Sequence, residues 1–112
     1  MNAPHVQQLS AEVCAAPQLD PPAMAWAAQA GFKSVINNRP DFEGGPDQPT
    51  SAQMEQAAKA AGLVYAYLPV DPADHTPEQI AHFAQLLKDL PKPVLAYCRS
   101  GNRSSMLYRA TL

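Results

Sequence analysis

The stretch Val94-Leu95-Ala96-Tyr97-Cys98-Arg99-Ser100-Gly101-Asn102-Arg103-Ser104 puts a nucleophile and two guanidinium groups in one short run of chain. An apolar segment ends on Cys98. A polar loop containing Gly101 follows, and a helical pattern resumes from Ser104 to Leu112. Cysteines at a strand end, beneath a helix N-terminus and beside arginines, are favoured as thiolates, the nucleophilic form. Successive backbone N–H groups in such a loop suit an oxyanion, and Gly101 is expected to supply the positive φ that the turn needs. Nucleophile and anion cradle coincide, which implies covalent chemistry on an anionic substrate.

Arg103 is the next candidate, because its fork can hold two oxygens of a tetrahedral anion. An arginine at the positive end of a helix dipole is electrostatically unfavourable, so its presence there calls for an anion. Arg99, Ser100, Gly101, Asn102 and Ser104 complete the candidate anion site. Ser104 is expected to cap the helix and to donate to the sulfur. Asp71 follows Leu68-Pro69-Val70 and is the candidate general acid. The plain alternative is a turn aspartate before Pro72, and Asp74 competes for either role. Arg39 and Asp41 read as a solvated loop. Cys14 reads as a plain buried thiol, with resolution of an oxidised Cys98 as the alternative. Trp26 is expected to pack a helix on the sheet. His75 and His82 lack ligand spacing with a cysteine, so neither a metal nor a cofactor is expected.

The elements that position these residues alternate between strand-like and helix-like patterns. That implies an α/β fold with a mainly parallel sheet of four to five strands flanked by helices. Val6–Leu9 and Glu12–Ala15 read as short edge strands. Asp20-Pro21-Pro22 supplies an N-cap and a first-turn proline for a helix ending at Gly31. Phe32–Asn37, Leu63–Leu68 and Val94–Tyr97 read as strands. Thr50 with Gln53, and Thr76 with Gln79, match capping boxes. They open helices with apolar faces at Met54, Ala57, Ala58 and Ala61, and at Ile80, Phe83, Ala84 and Leu87. Asn38–Pro49, rich in proline and glycine, reads as a loop. In open α/β sheets, ligands bind beyond the carboxyl ends of the strands, which is where Cys98, Asp71, Asp74 and Arg39 fall.

With 112 residues, 46% of them hydrophobic, the chain is sized for one domain, taken as 1–112. A net charge of −2 gives no reason to expect nucleic-acid or anionic-membrane partners. The start of the chain lacks the pattern of a signal peptide, and two cysteines make no disulfide framework. The expected location is therefore the cytoplasm. The helix that begins near Ser104 stops without a cap, so further sequence is expected beyond Leu112.

The segment Tyr97–Ser104 resembles the active-site loop of rhodanese sulfurtransferases, which carry sulfur as a cysteine persulfide. Gly31–Asp41, Tyr65–Asp71, Thr76–Leu90 and Pro93–Ser105 resemble dual-specificity protein tyrosine phosphatases. Across nearly the whole chain the resemblance is to bacterial beta-lactamase-hydrolase-like phosphatase-like domains, which are also described as sulfur transferases. The resemblance implies a fused or partner metallo-hydrolase domain involved in persulfide oxidation. One departure matters. Phosphatases of this type have five residues between cysteine and arginine, and a histidine before the cysteine. Here four residues intervene, as in rhodaneses, and Tyr97 replaces the histidine.

The leading expectation is a sulfurtransferase. Cys98 takes sulfane sulfur from thiosulfate or a persulfide, and Arg99 and Arg103 hold the anionic donor. The alternative is a phosphatase in which Cys98 attacks phosphorus, Arg103 holds the phosphoryl oxygens and Asp71 protonates the leaving oxygen. A third reading is an anion-binding regulatory module.

Overall fold

Caps and prolines divide the chain into its elements. In a computed structural model describing residues 4–112, the strands are Gln7–Gln8 (β1), Val13–Ala16 (β2), Ser34–Asn37 (β3), Val64–Tyr67 (β4) and Val94–Tyr97 (β5). The helices are Pro21–Gln29 (α1), Ser51–Ala60 (α2), Pro77–Asp89 (α3) and Asn102–Ala110 (α4). The Asp20 carboxylate accepts from the Ala23 N–H to start α1. Both expected capping boxes form, at Thr50/Gln53 and Thr76/Gln79.

The sheet order is β1-β2-β5-β3-β4, and only the β1–β2 pair is antiparallel. β2 was expected at an edge. It instead lies between β1 and β5, because the two-residue β1 covers its outer side. β5 lies at the centre, with Val94 in register with both Val13 and Ser34. All four of its residues are buried, the continuous apolar pattern that parallel strands covered on both faces require.

Alternation along β5 divides the core. Leu95 and Tyr97 join Met24 and Ala27 of α1 and Met54 and Ala58 of α2. Val94 and Ala96 join Phe83 of α3 and Leu107 of α4 on the other face. Trp26 packs against the first cluster, its ring 6.2 Å from that of Phe32. Of the apolar stripe read on α3, Phe83 is fully buried, whereas Ile80, Ala84 and Leu87 are half-buried. α4 begins at Asn102, two positions before the expected Ser104 start, because Gly101 takes the N-cap position at φ +92°.

A Cβ at residue 101 would lie 3.3 Å from the Ala16 carbonyl carbon and 3.4 Å from its oxygen. The backbone of the loop therefore leans on the end of β2. Gly62, at φ +83°, has nothing among the described residues within 4 Å of the place a Cβ would take, so it isolates the conformational cost. Gly62→Ala should lose about 1–2 kcal/mol from left-handed strain alone. Gly101→Ala should lose more, since a packed backbone must also shift. Chemical unfolding of the two variants side by side measures the difference.

Candidate active site

The parallel register brings the carboxyl ends of β5, β3 and β4 to one edge of the sheet. Cys98, 1% exposed, follows β5 directly. Its backbone N–H donates to Ala16 O at 3.3 Å, and its Sγ accepts from the Gly101 N–H at 3.1 Å. The loop thus curls back so that a peptide N–H points at the sulfur. Two further contacts fix the curl. Arg99 O accepts from the Gln18 N–H at 3.1 Å, and Gly101 O accepts from both the N–H and the hydroxyl of Ser105.

Arg103, 7% exposed, is held from two sides. Its Nη1 donates to Glu43 Oε2 and to Val70 O, each at 3.0 Å, and its Nη2 donates to Glu43 Oε1 at 3.0 Å. A guanidinium has five N–H donors in a planar fork, and these bonds use both hydrogens of Nη1 and one of Nη2. The Nε hydrogen and the second Nη2 hydrogen share the remaining edge. Among the described residues no protein group takes that edge, and it is the pair of parallel donors that suits two oxygens of one anion.

Glu43 also accepts from Arg39 Nε at 2.9 Å, while Arg39 Nη1 donates to Gln18 Oε1 at 3.1 Å. One carboxylate therefore orients two arginines. Burial of Glu43 opposes its ionisation, but hydrogen bonds and charge from Arg103 and Arg39 outweigh it. The carboxyl is held below the usual range.

A cleft of about 630 Å³ opens above the loop, lined by Arg39, Glu43, Arg99, Ser100, Asn102 and Arg103. Pro72 and Met106 add apolar surface to it. Three arginines and one glutamate line it, leaving a local positive charge on a chain whose net charge is −2. Asp71 is exposed in the turn beside Pro72, and its Oδ1 accepts from the Ala73 N–H at 2.8 Å. Among the described residues, no group of three or more His, Cys, Asp or Glu could hold a metal ion. Nor, among them, is any helix long and apolar enough to cross a membrane.

The chain has known relatives. Residues 5–111 match the family of beta-lactamase hydrolase-like protein, phosphatase-like domain. The chain belongs to that family. Curated beta-lactamase hydrolase-like proteins from Agrobacterium fabrum and Xylella fastidiosa are 44% and 40% identical over 70% and 72% of this chain. The matches cover 18% and 19% of those relatives, so the chain spans under a fifth of their length. A crystal structure of a candidate phosphatase from Neisseria meningitidis superposes with a TM-score of 0.83 at 37% identity, covering 90% of this chain and 71% of that one. A kinase-associated phosphatase shares the fold at a TM-score of 0.70 and 11% identity, over 98% of this chain and 73% of that one. The family domain and the Neisseria protein are the phosphatase-like ones among these relatives.

Within this phosphatase-like domain, several expectations need correction. Ser104 neither caps α4 nor reaches the sulfur. It is buried, and its hydroxyl donates to Asn38 Oδ1 at 2.8 Å, linking α4 to the end of β3. Arg39 is not part of a solvated loop; at 8% exposure it is buried beside the cleft. The anion that offsets Arg103 at the helix start comes from the protein itself, as Glu43. Cys14 pairs in register with Leu95, three positions before Cys98, and is half-buried. Burial pushes its thiol up from the ordinary value, which disfavours a resolving thiolate. Tyr97 points into the α1–α2 core, where among the described residues its hydroxyl has no hydrogen-bond partner. Burial, then the neighbouring Tyr65, pushes that hydroxyl upward in pKa.

Glu43 and Gln18 escaped the sequence reading. Their partners lie across loops, and no spacing rule links Glu43 to Arg103 across 60 positions. Glu43→Gln should destabilise the domain by about 1–3 kcal/mol near neutral pH, because two buried guanidinium groups lose a charged acceptor. The native carboxyl titrates below its ordinary 4.5. Its contribution is therefore complete above that value and fades as the pH falls through the lowered native one. Thermal unfolding of wild type and variant across about pH 3–7 should show the gap closing only at the acid end.

Proposed function

We propose that the domain is a cysteine-dependent phosphatase acting on organic phosphomonoesters. The observation that carries the reading is the open side-on edge of Arg103, in a guanidinium whose other donors are fixed by Glu43 and Val70. A phosphoryl group has non-bridging oxygens that suit this pair of donors and the N–H groups of the loop. Positive charge in the cleft favours a dianion over a neutral ester.

In the proposed reaction the Cys98 thiolate attacks phosphorus, forming an S–P bond as the ester P–O bond breaks. The leaving oxygen takes a proton from Asp71, and the alcohol departs. Water then attacks the phosphocysteine and gives a proton to the Asp71 carboxylate, and phosphate leaves as the S–P bond breaks. Asp71 suits this role by place: it precedes Pro72, which lines the cleft, and follows Val70, whose carbonyl holds Arg103. Arg99, Ser100, Gly101 and Asn102 are assigned to binding, and Ser104 to fastening the loop to β3.

Aryl phosphate hydrolysis tests the reading. Cys98→Ser should reduce turnover to background, and Arg103→Lys should lower kcat by about 10²–10³-fold. Asp71→Asn should lower kcat by about 10²–10⁴-fold and remove the limb on which activity falls as pH rises. No turnover of any aryl phosphate would sink the proposal.

Sulfur transfer stays a second reading on one observation, the four residues between Cys98 and Arg103. The shorter loop suits a persulfide sulfur needing N–H donors but less room. Thiocyanate formed from cyanide and a sulfane donor, lost in Cys98→Ser, would establish it in place of the phosphatase.

A further inference from the structure

We infer that the preferred substrate is a phosphomonoester carrying a second anionic group, and that Arg99 binds that group. The inference rests on the phosphatase reading and goes further by naming the substrate class. Three arginines line the cleft, but they are not equivalent. Arg39 and Arg103 are both buried and both bound to the Glu43 carboxylate. Arg99 is exposed, and among the described residues its side chain has no hydrogen-bond or ion-pair partner. Only its backbone is fixed, through the Gln18 N–H.

The acidic groups nearby do not pair with Arg99. Both oxygens of Glu43 accept from the other two arginines, and among the described residues Asp71 forms no ion pair. Once the phosphoryl group takes the free edge of Arg103, the guanidinium of Arg99 still faces the same cleft uncompensated. At about 630 Å³ the cleft is of the size that holds a small organic molecule rather than a bare phosphoryl group. Met106, 46% exposed, adds apolar surface to a cleft otherwise lined largely by charged and polar groups. Such a surface suits a carbon skeleton with an anion at each end.

The test compares 4-carboxyphenyl phosphate with its neutral isostere, 4-carbamoylphenyl phosphate. Because Arg99 is exposed, the expected preference in kcat/KM is modest, about three- to tenfold for the carboxylate. It should shrink as salt is raised from about 0.05 to 0.5 M. In Arg99→Gln the ratio should fall to about that set by leaving-group chemistry alone, in wild type at high salt. An unchanged ratio in Arg99→Gln would overturn the inference. If neither ester is turned over, the phosphatase reading fails. The Arg99 inference is then judged by calorimetric binding of both esters to Cys98→Ser, with and without Arg99→Gln. Tighter binding of the carboxylate ester that depends on Arg99 supports it, and equal affinities overturn it. Phosphotyrosyl peptides with aspartate or alanine beside the phosphorylated residue locate the source of the second charge. A larger Arg99-dependent preference there than between the two small esters assigns a peptide substrate, and a smaller one assigns a small molecule.

Discussion

Everything near the cleft depends on β5 being held between two parallel neighbours. Val94 to Tyr97 is buried on both faces, in register with β2 on one side and β3 on the other. A parallel strand cannot be joined to its neighbour by a tight hairpin. Each crossover therefore runs back through a helix, and β3, β4 and β5 all finish at the same edge. That geometric requirement gathers Asn38, Val70 and Cys98 at one end of the sheet. The bonds that fasten the loop follow from it: Cys98 N–H to Ala16, Ser104 to Asn38, and Arg103 to Val70.

The electrostatics of the loop rest on a division of labour among donors. A lone arginine at a helix N-terminus would repel the dipole and move freely. Glu43 removes both problems by taking the end-on face of Arg103 and, through Arg39, tying the arrangement to Gln18. The carboxylate does not plug the fork. It uses donors on one edge and leaves the other edge oriented. A rigid charged group with one open edge needs little reorganisation when an anion arrives, which is the condition under which such donors contribute most to catalysis.

Much of this was legible in the sequence, for local reasons. Capping boxes at Thr50 and Thr76, the first-turn prolines, and the apolar run before Cys98 are rules written within a few residues, and each has a direct physical cause. Gly101 was legible because a sharp turn between strand and helix requires positive φ. What was not legible depends on long-range partners. Arg39 looked like a loop arginine because its local partner Glu43 is fixed by Arg103, 60 positions on, and its other partner, Gln18, lies 21 positions away. Ser104 has the composition of a cap, but Gly101 already occupies that position, and the neighbour that claims its hydroxyl is Asn38. The four-residue spacing weighted the functional reading toward sulfur transfer, whereas the relatives and the arginine geometry support phosphate chemistry. Spacing counts residues in the loop; it does not show which edge of Arg103 is open.

The bonds around the loop join residues that are far apart in the chain: 33 positions for Val70 and Arg103, 60 for Glu43 and Arg103, and 66 for Asn38 and Ser104. None of them can form in a short nascent segment. The reactive arrangement comes into being only when the whole sheet has closed, after Arg103 and Ser104 have joined the chain. A half-made or unravelled copy lacks the Glu43–Arg103–Val70 bonds and the Ser104–Asn38 bond that fasten the loop. The architecture thereby ties the geometry of the loop to the closure of the whole sheet.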